Sequence, residues 1–572
     1  MEAKKLKVVI CWHMHQPHYR DGLDGIYRLP WVYLHAIKDY VDMVWHLEAC
    51  PEAKVVVNFA PVLLEQLDDY AQQMSLWLDE KKPMSDPLLN LVSGEAAIPT
   101  NGAKRIEIIQ HCQRAHAPTM IDILPGFKRL LDLVQDDLNA DAPNQICLNY
   151  LNDQYFTDVL MWYHLAWLGI SLRELDPRVK PLMAKQSHFT PEDQRQLILI
   201  MRDAVASIIP RYKALLDSGQ IEISMTPYGH PIVPLLIDFE SMCDAMHDAP
   251  KPSYEGYPDG YERAKWHMQH GLEVFENHFD SRPQGIWLSE GAVSRESIGL
   301  LDEFAIKWSA SGEGVWRHSC EASCINQHDM NSKKALYQPL QLASKNCALF
   351  FRDDGLSDLV GFQYKDWHAE DAAADFAHHI SNIGRSLGDK VEEHVVSIIL
   401  DGENAWEYYP DNASHFISAL YAKLSTDPKI EMTTFSQAID DGVSVRNLPV
   451  LKAGSWVYGS FSTWIGDKDK NRGWDLLVEA KQCFDKKIAS TTLSKKQLEE
   501  TTQQLAICEG SDWFWWFGDY NPSGSVQDFD KLYRRHLKRL YELLGEVPPA
   551  VLDSPISLGG GDMENSGTMR RN

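Results

Sequence analysis

Two carboxylic acids follow apolar runs at positions where a reacting molecule could meet them. Glu290 ends the segment Trp287–Glu290, and Asp401 follows the run Val395–Leu400. A glycine stands directly after each acid, which lets the backbone turn and a ligand approach closely. Two opposed carboxyl groups are what displacement at the anomeric carbon of a sugar requires, one as nucleophile and one as general acid and base. Each acid could instead cap a following helix, and the local pattern leaves both interpretations open.

His13 and His15 stand two positions apart at the end of the first apolar run, so their side chains point to the same face. Two imidazoles on one face can share a metal ion, and they can equally hydrogen-bond the hydroxyl groups of a sugar. A single histidine on a strand would be explained most simply by core packing. The pair, followed by Gln16, predicts a binding site, but its spacing does not decide between metal and sugar.

Glu222 lies inside the third apolar run, where a carboxylate needs a partner. His13, His15 or Arg352 could supply it, either in a buried structural ion pair or in contact with a ligand. Arg352 begins the segment Arg352–Gly355, which is similar to the Asp-Asp-Gly metal motif of polysaccharide deacetylases. Its position late in the chain, rather than after the first strand, argues against that metal interpretation.

Seven short apolar runs lead into polar clusters, and they predict the elements that position these residues. The runs are Lys7–Cys11, Val55–Phe59, Ile221–Met225, Gly285–Leu288, Ile306–Ala310, Ala348–Phe351 and Val395–Leu400. Runs without strict alternation are typical of strands buried on both faces, and segments between them, such as Tyr257–Phe279, have a helical pattern. The alternation predicts an α/β fold with an incomplete seven-stranded (β/α)7 barrel. Barrel chemistry lies at the carboxyl ends of the strands, where each of these clusters falls.

The remaining segments predict additional helical units. Residues 1–412 form the predicted barrel domain, with a helical subdomain at about 70–218 inserted beside the cleft. Residues 413–557 predict a C-terminal helical bundle, and the polar, glycine-rich residues 558–572 predict a flexible tail. Within the bundle, Trp513–Phe517 is too dense in aromatic rings for a simple loop. The rings could fill the interface between barrel and bundle, or Asp512 and one of these tryptophans could reach the cleft to contact a sugar, and we expect both.

The composition excludes some classes of partner. A net charge of −26 argues against binding to nucleic acid, which needs clustered lysine and arginine, and against an anionic membrane surface. The sequence has no apolar stretch long enough to cross a bilayer, and Val8–Cys11 is too short for a signal-peptide core. The ten cysteines are scattered, as in proteins of a reducing compartment. We predict a cytoplasmic protein, and the sequence leaves its oligomeric state open.

In their order, the motifs resemble glycoside hydrolase family 57, in its α-amylase and amylopullulanase branch. The resemblance runs through most of the chain and rests on His13–Pro17, Gly219–Glu222, Trp287–Glu290, Leu400–Glu407, Phe461–Gly466 and Glu509–Trp516. It implies a seven-stranded barrel, a helical C-terminal domain and a retaining mechanism with Glu290 as nucleophile and Asp401 as acid/base. It also implies that no catalytic metal or other cofactor is required. Ser289 and His18 differ from the residues frequent in this branch, which leaves fine specificity open.

The resemblance leads to a specific functional prediction. We predict a retaining hydrolase that cleaves α-glucosidic bonds of starch- or glycogen-type α-glucans and maltooligosaccharides. The predicted substrate-binding residues are His13, His15, Glu222, Trp287, Arg352, Glu403, Trp406, Trp464, Asp512 and Trp513. The resemblance implies that His13, His15, Glu222, Glu403 and Asp512 line the sugar subsites.

Other functions are compatible with the same residues. A 4-α-glucanotransferase would use the same intermediate, with Trp456, Trp464 and the run Trp513–Trp516 as a platform for the acceptor. A metal-dependent deacetylase-like or α-mannosidase-like enzyme would use His13 and His15, and a glucan-binding protein would keep the cleft without the chemistry. The sequence does not decide between α-1,4 and α-1,6 linkages.

Overall fold

The computed structural model describes residues 4–138, 148, 150–324, 330, 333–490 and 493–561 of the chain. The strands are β1 (Leu6–Met14), β2 (Val55–Phe59), β3 (Ile221–Met225), β4 (Trp308–Ser311), β5 (Leu340–Leu342), β6 (Ala348–Phe351), β7 (Val395–Asp401), β8 (Ile430–Met432) and β9 (Arg446–Leu448). Between β1 and β3 the α-helices are Trp31–His35, Val41–Ala49, Pro61–Glu80, Pro87–Val92, Gly102–Cys112, Pro125–Asp132, Gln135–Leu138, Asp153–Ala166, Ile170–Leu175, Val179–Lys185 and Pro191–Asp217. Those after β3 are Val233–Ile237, Gly260–Phe279, Arg295–Glu303, Glu313–Ala322, Asp354–Asp358, Ala369–Leu387, Ser414–Thr426, Phe435–Asp440, Lys468–Ser490, Lys495–Cys508, Asp512–Trp516 and Ser523–Leu543.

The first sheet brings the chemistry-bearing strand ends together. Its order is β3-β2-β1-β7 with every pairing parallel, and β8 pairs with the start of β1. In this register His13 lies beside Asn58 on one side and beside Asp401 on the other. All residues of β1 and β2 are buried, as expected for strands covered on both faces. The carboxyl ends of four strands therefore meet at one edge.

The second sheet continues this arrangement through isolated backbone pairings. Its order is β4-β6-β5-β9, and β4 pairs with β6 in parallel. Met225 pairs with Ile286, Gly285 with Trp308, and Arg352 with Ser397, all in the parallel sense. The segment 285–288 therefore lies between β3 and β4, and β6 lies beside β7. The chain is a mixed α/β protein with parallel strands and many helices.

The predicted elements agree with the structure except for the short ones. The run at Gly285–Leu288 forms isolated pairings rather than a regular strand, and the strand predicted from Ile306 begins at Trp308. The three-residue strands β5, β8 and β9 were not predicted, because so few residues carry no periodic signal. The described residues of the segment 70–218, predicted as a helical insertion, form helices joined by short loops. Residues 562–572 of the predicted tail lie outside the described residues.

Among the described helices, none has both the length and the apolar character needed to cross a membrane.

Candidate active site

Glu290 lies in a strained turn. The 3₁₀ turn Ser289–Gly291 contains it, and its backbone is left-handed, with φ 59° and ψ 22°. Such a conformation costs roughly 1–3 kcal/mol and persists only where neighbouring groups fix it. The hydroxyl of Ser311 donates to the carbonyl of Gly291 at 2.6 Å, and the amide of Trp456 donates to the carbonyl of Glu290 at 3.0 Å. These bonds hold the turn and thereby the carboxyl group.

Trp456 contacts Glu290 a second time through its side chain. The indole Nε1–H donates to Oε2 of Glu290 at 2.8 Å. The ring packs edge-on against Trp287, with 5.2 Å between ring centroids. The backbone of Trp456 is itself fixed by close packing, because a Cβ at Gly312 would lie 2.6 Å from its Cα. One carboxyl oxygen of Glu290 is therefore occupied, and Oε1 remains to face a reacting atom.

Asp401 ends β7 at the same edge of the sheet. It lies beside His13 in the register, and the amide of Gly402 donates to the carbonyl of His13 at 2.7 Å. Nδ2 of Asn404 donates to Oδ2 of Asp401 at 2.9 Å. The end of β7 is thus tied to β1, and the hydrogen bond from Asn404 leaves Oδ1 for a substrate.

Burial and the neighbouring groups raise the pKa of Glu290. Burial and the negative charge of Asp401 raise its pKa, the hydrogen bond from Trp456 lowers it, and Asp512 raises it further, so that the pKa is about 8. Since the charge of Asp401 acts on Glu290, the two carboxyl groups form an electrostatically coupled pair. At neutral pH a proton therefore resides on Glu290 for most of the time when no ligand is bound.

The neighbours of Asp401 stabilise its negative charge more than those of Glu290 do. Burial raises its pKa, but the hydrogen bond from Asn404, the imidazole of His15 and the guanidinium of Arg352 oppose that rise. The guanidinium of Arg352 thus acts on Asp401, whereas the group that lowers the pKa of Glu290 is the indole of Trp456.

His13 is held as a neutral imidazole. Its Nδ1 bonds the amide oxygen of Asn58 at 2.7 Å, and Nδ2 of Asn58 donates to the hydroxyl of Ser224 at 2.8 Å. An amide oxygen only accepts, so Nδ1 of His13 carries the proton and Nε2 is left as an acceptor. Burial and the neighbouring His15 lower the pKa of His13 to about 3.

His15 lies against a third histidine from the end of β3. Its ring is stacked on that of His230 with 3.7 Å between centroids and 14° between planes. Nε2 of His15 bonds Oδ1 of Asp512 at 2.9 Å, and Nδ1 of His230 bonds the hydroxyl of Ser511 at 2.8 Å. The motif that contains Asp512 therefore joins the first motif, although almost 500 residues separate them in sequence.

The same three groups are the described cluster that could hold a metal ion. One ligand atom from each of His15, His230 and Asp512 lies within 4.8 Å of the others. A metal bound to imidazole lies in the ring plane. Two almost parallel rings 3.7 Å apart cannot both direct their nitrogen lone pairs at one ion without rotating. The stacked arrangement therefore favours hydrogen bonding over metal coordination.

Arg352 is buried at the end of β6. Its Nε donates to the carbonyl of Ile399 at 2.8 Å, and its two terminal nitrogens donate to Asp354 at 2.7 Å and Asp358 at 3.0 Å. Its Cζ lies 5.6 Å from the ring centroid of Trp456. With these partners the guanidinium serves as a fixed positive charge beneath the site.

Glu403 lies below the surface rather than along it. It is 2 % exposed, and its Oε1 accepts hydrogen bonds from the amide of His15 at 3.3 Å and from Nε2 of Gln16 at 3.4 Å. Burial raises its pKa well above the usual range, and the charge of Asp401 adds to that rise. Glu403 is therefore a neutral acid that orients the first motif.

Most of the chain matches the model of one protein family. The model of Glycosyl hydrolase family 57 matches residues 9–452, a stretch that contains Glu290, Asp401 and the three stacked histidines. The chain belongs to this family. Membership confirms the resemblance seen in the motifs and makes the chain a carbohydrate-active enzyme. No curated protein sequence matches the chain.

Several solved structures share the fold at low sequence identity. The branching enzyme of Thermococcus kodakaraensis is 15% identical, with a TM-score of 0.57 over 95% of this chain and 90% of that one. The α-amylase AmyC of Thermotoga maritima is 13% identical, with a TM-score of 0.55 over 95% and 93%. The 4-α-glucanotransferase of Thermococcus litoralis is 12% identical, with a TM-score of 0.51 over 94% of this chain and 60% of that one. These likenesses establish the fold.

Glu222 has other partners in this family 57 chain than those predicted. Its carboxylate accepts from the indole of Trp308 at 2.6 Å and from the hydroxyl and amide of Ser436 at 2.6 and 3.1 Å. The predicted partners His13, His15 and Arg352 are therefore wrong. Glu222 is the second residue of β3 and lies two positions before Ser224, so it sits one layer below the histidines and caps the helix that begins at Phe435.

Four predicted tryptophans differ in how they reach the site. Trp287 lies beneath it against Trp456. Trp406 is buried, and its Nε1 donates to the carbonyl of Gly402 at 2.7 Å. Trp464 and Trp513 are buried as well, at 0 and 1 % exposure. These four rings are buried, whereas Asp512 reaches the site through its bond to His15.

Three contributors were not assigned their roles from the sequence. His230 belongs to the polar cluster that follows the run Ile221–Met225, where the sequence gives it no role, and Trp456 is predicted only as part of an acceptor platform. Asn58 was missed, although a polar residue inside the apolar run Val55–Phe59 signals a buried hydrogen bond. The partners of His230 and Trp456 lie hundreds of residues away or on other elements, so no local pattern indicates them.

A cavity of about 890 Å³ lies elsewhere on the surface. Its lining includes Arg282, Glu303 and Lys307. Arg282 precedes the segment 285–288, and Glu303 and Lys307 precede β4. None of the chemistry-bearing residues described above lines it, so we assign it no part in the reaction.

Proposed function

We propose that the chain is a retaining glycoside hydrolase that cleaves α-glucosidic bonds of α-glucans and maltooligosaccharides. The coupling between Glu290 and Asp401 carries this proposal. Each is half-buried at the carboxyl end of a strand or strand-like segment, and the charge of Asp401 acts on the pKa of Glu290. Two interacting carboxyl groups with different partners are the arrangement that double displacement needs.

In the first step of the proposed reaction, Oε1 of Glu290 attacks the anomeric carbon. Asp401 gives its proton to the glycosidic oxygen, the bond between that oxygen and the anomeric carbon breaks, and the leaving chain departs as an alcohol. Only the ionised form of Glu290 can attack and only the protonated form of Asp401 can donate. The proton that favours Glu290 in the free site must therefore reside on Asp401 in the reactive complex.

In the second step Asp401 acts as a base. It takes a proton from water, the water oxygen bonds to the anomeric carbon, and Glu290 leaves as a carboxylate. Trp456 stabilises that carboxylate through its indole N–H, whose bond to an ionised acceptor is stronger than one to a neutral acid. Two displacements restore the original anomeric configuration.

We extend the proposal to the architecture around the site. The strand pairings of the two sheets, with the three isolated pairings between them, would order seven parallel segments as β1, β2, β3, 285–288, β4, β6 and β7, followed again by β1. We interpret this order as the incomplete (β/α)7 barrel of residues 1–412, with a helical subdomain at about 70–218 and a helical domain at 413–557.

Several observations support an α-glucan as the substrate. The solved relatives are described as a branching enzyme, an α-amylase and a 4-α-glucanotransferase. His13 offers Nε2 as an acceptor beside Asp401, and the edge of the His15–His230 stack adds imidazole groups, which suit the hydroxyl groups of a neutral sugar. We retain His13, His15 and Asp512 as the sugar-contacting residues.

Product analysis tests the proposal directly. Wild-type protein incubated with maltooligosaccharides, glycogen and pullulan should release glucose and short maltooligosaccharides. Proton NMR during the first minutes should show the α-anomer forming before mutarotation. Release of the β-anomer would refute the retaining mechanism, and no product from any of the three glucans would refute the substrate class.

A second candidate, the 4-α-glucanotransferase, has one observation in its favour. Trp515 and Trp516 lie three and four positions after Asp512 and are partly exposed, unlike the other tryptophans of the predicted platform. They could hold an acceptor sugar while water is excluded. Maltooligosaccharides longer than the one supplied would identify transfer, and Trp515→Ala with Trp516→Ala should then reduce transfer more than hydrolysis.

The proposal includes no metal and no other cofactor. Activity should survive dialysis against a chelator, because the stacked imidazoles favour hydrogen bonds. Loss of activity on chelation, with recovery on adding a divalent ion, would support the alternative metal-dependent enzyme instead.

We also propose a cytoplasmic location. The nine described cysteines are free thiols, which suits a reducing compartment. Fractionation of the source cells tests this.

A further inference from the structure

A buried ionic cluster lies beside the candidate active site and has no part in the reaction described above. Glu509 accepts two hydrogen bonds from Arg263, from Nε at 2.8 Å and from Nη2 at 2.7 Å. The hydroxyl of Tyr257 donates to it at 2.6 Å, and Nε2 of His267 bonds it at 2.8 Å. Glu509 and His267 are fully buried. We call these four residues the Glu509 cluster.

The hydrogen bonds assign the charges in the cluster. The amide of Gly229 donates to Nδ1 of His267 at 3.2 Å, so Nδ1 is an acceptor. Nε2 of His267 therefore carries the hydrogen and donates it in the hydrogen bond to Glu509. Burial would raise the pKa of Glu509, but Arg263 and His267 lower it to about 2. Glu509 is thus a carboxylate at any pH at which the protein works.

Two paths lead from this carboxylate to the active site. By the chain itself, Glu509 is followed by Gly510, Ser511 and Asp512, and Asp512 bonds His15 at 2.9 Å. Through space, the path runs from His267 to Gly229 and so to His230, which follows it directly.

The two paths meet at the stacked histidines. The amide of Ser511 donates to the carbonyl of His230 at 3.0 Å, and its hydroxyl bonds Nδ1 of the same residue at 2.8 Å. Gly510 packs closely as well, because a Cβ there would lie 3.0 Å from the carbonyl oxygen of Gly229. A rigid connection therefore links Glu509 to both members of the His15–His230 stack.

We propose that Glu509 is a positioning residue for the glycosyl-transfer reaction. Held by Tyr257, Arg263 and His267, it fixes the turn at Ser511 and Asp512 against His230 and His15. The proposal rests on the proposed function for its kinetic consequences, but its structural consequence stands independently. A carboxylate is needed because it alone can accept all four hydrogen bonds of the cluster.

The position of Asp512 affects the chemistry because its charge is one of those that raise the pKa of Glu290. Asp401 is the other carboxylate that acts on Glu290, and Trp456 is the group that opposes them. If the turn moves, Asp512 moves away from Glu290 and from His15 together. The protonation of the nucleophile and the placement of His15 then change in one event.

The test uses the full-length protein with Glu509→Gln and Tyr257→Phe. Glu509→Gln keeps the shape but leaves Arg263 without its charged partner. We expect kcat to fall on the order of 10- to 100-fold with little change in KM, and the falling limb of the pH profile of kcat/KM, which follows the pKa of Glu290, to move to lower pH. Tyr257→Phe preserves the ion pair and should produce the same changes on a smaller scale. If Glu509→Gln does not fold, Tyr257→Phe decides the question.

A matched control separates positioning from general loss of stability. Asp530 is a buried carboxylate in the C-terminal helix Ser523–Leu543, where it bonds Arg534 and the amides of Ile556 and Ser557. Asp530→Asn should lower the melting temperature while leaving kcat and the pH profile as they are. If Asp530→Asn changes the pH profile as much as Glu509→Gln does, the proposal is overturned.

A double-mutant cycle with Asp512 tests whether the two residues act as a unit. Asp512→Asn alone should also move the falling limb to lower pH. Adding Glu509→Gln to that variant should then have little further effect on the limb, because the charge that the turn positions is already absent. If the pH shifts of Glu509→Gln and Asp512→Asn add fully in the double variant, the two residues do not act through the same turn and the proposal is contradicted.

A spectroscopic measurement tests the positioning without any activity. In protein labelled with ¹⁵N-histidine, Glu509→Gln should shift the ring nitrogen signals of His15 and His230, and Asp530→Asn should not. Unchanged signals in Glu509→Gln overturn the positioning role. If the signals shift but the wild-type protein cleaves no glucan, the proposed function fails while the structural role of Glu509 is retained.

Discussion

Replacing Trp456 by phenylalanine isolates one hydrogen bond to the proposed nucleophile. The wild-type indole donates to Oε2 of Glu290 at 2.8 Å and lowers the pKa of that carboxyl group. Phenylalanine keeps an aromatic ring in the same space and removes only the donor. The pKa of Glu290 should therefore rise above its present value of about 8.

The size of the shift follows from the strength of the bond. A hydrogen bond to a charged group contributes about 1.5–3 kcal/mol, which corresponds to roughly one to two pKa units. Partial solvent exposure of Glu290 favours the lower end of this range. At pH 7 the ionised fraction of Glu290 should fall roughly 10- to 100-fold, and kcat/KM should fall with it.

The assay is kcat/KM on a maltooligosaccharide between pH 5 and pH 10, since this parameter reports ionisation in the free enzyme. In the wild type it should fall as the pH rises through about 8, because the one proton that Glu290 and Asp401 share is lost there and Asp401 can no longer act as the acid. In Trp456→Phe this midpoint should move upward by about one to two pH units, while the plateau at lower pH falls because a smaller share of that proton resides on Asp401.

Trp287→Phe is the matched control. Trp287 packs against Trp456, but its indole nitrogen is buried without a hydrogen-bond partner among the described residues. Losing that N–H should leave the midpoint unchanged even if the activity declines. An unchanged midpoint in Trp456→Phe, or equal shifts in both variants, would show that this indole does not set the ionisation of Glu290.

Three further substitutions have distinct expected outcomes. Glu290→Gln should reduce turnover by about 10³-fold or more. Because the pKa of Glu290 is raised, the wild-type protein loses stability as pH rises from 4.5 to about 8, so this variant should melt at a higher temperature than the wild type at pH 9. A lower melting temperature of the variant at pH 9 would contradict a destabilising charge on Glu290. Asp401→Asn should reduce cleavage of natural glucans by a similar factor and that of aryl glycosides with good leaving groups far less, since these need no proton; equal losses on both substrates would count against the acid role. Glu403→Gln should keep the fold and most of the activity because Glu403 is already neutral, and calorimetry should show less loss of stability between pH 6 and pH 9 than in the wild type; a collapse of activity would mean that its charge is used.

The sequence predicted those parts of the site that depend on where a strand ends. Glu290 and Asp401 follow apolar runs whose burial determines the path of the chain, so the position of both carboxyl groups at the ends of such runs could be predicted from local pattern and motif order. The same reasoning placed His13 and His15 on one face, and the structure has both at the edge beside Asp401.

Depth along a strand was not predictable in the same way. Glu222 faces the same side of β3 as Ser224, but it lies two residues before the strand end that carries the site. There its carboxylate accepts hydrogen bonds from Trp308 and Ser436. The register between strands sets this depth, and register depends on contacts across the sheet rather than on the residues of one run.

Aromatic density was a poor guide for a related reason. Trp513–Phe517 lies largely on a short helix, and a helix turns successive residues to different sides. Trp513 therefore faces the helical core, where its Nε1 donates to the carbonyl of Ile507 at 2.9 Å, while Trp515 and Trp516 remain partly exposed. Only the three-dimensional packing tells which ring is which.

The single pairings between the two sheets have a mechanical consequence. Asp401 belongs to the first sheet, whereas Glu290 follows a segment that is attached by one pairing at Met225 and another at Trp308. Continuous ladders resist separation along their whole length, but a joint made of one pairing can widen without disturbing either side. We expect the distance between the two carboxyl groups to be the most compliant dimension of the molecule. Warming should therefore end catalysis before the protein melts, and amide hydrogen exchange should be fastest, among the parallel strands, at these joints.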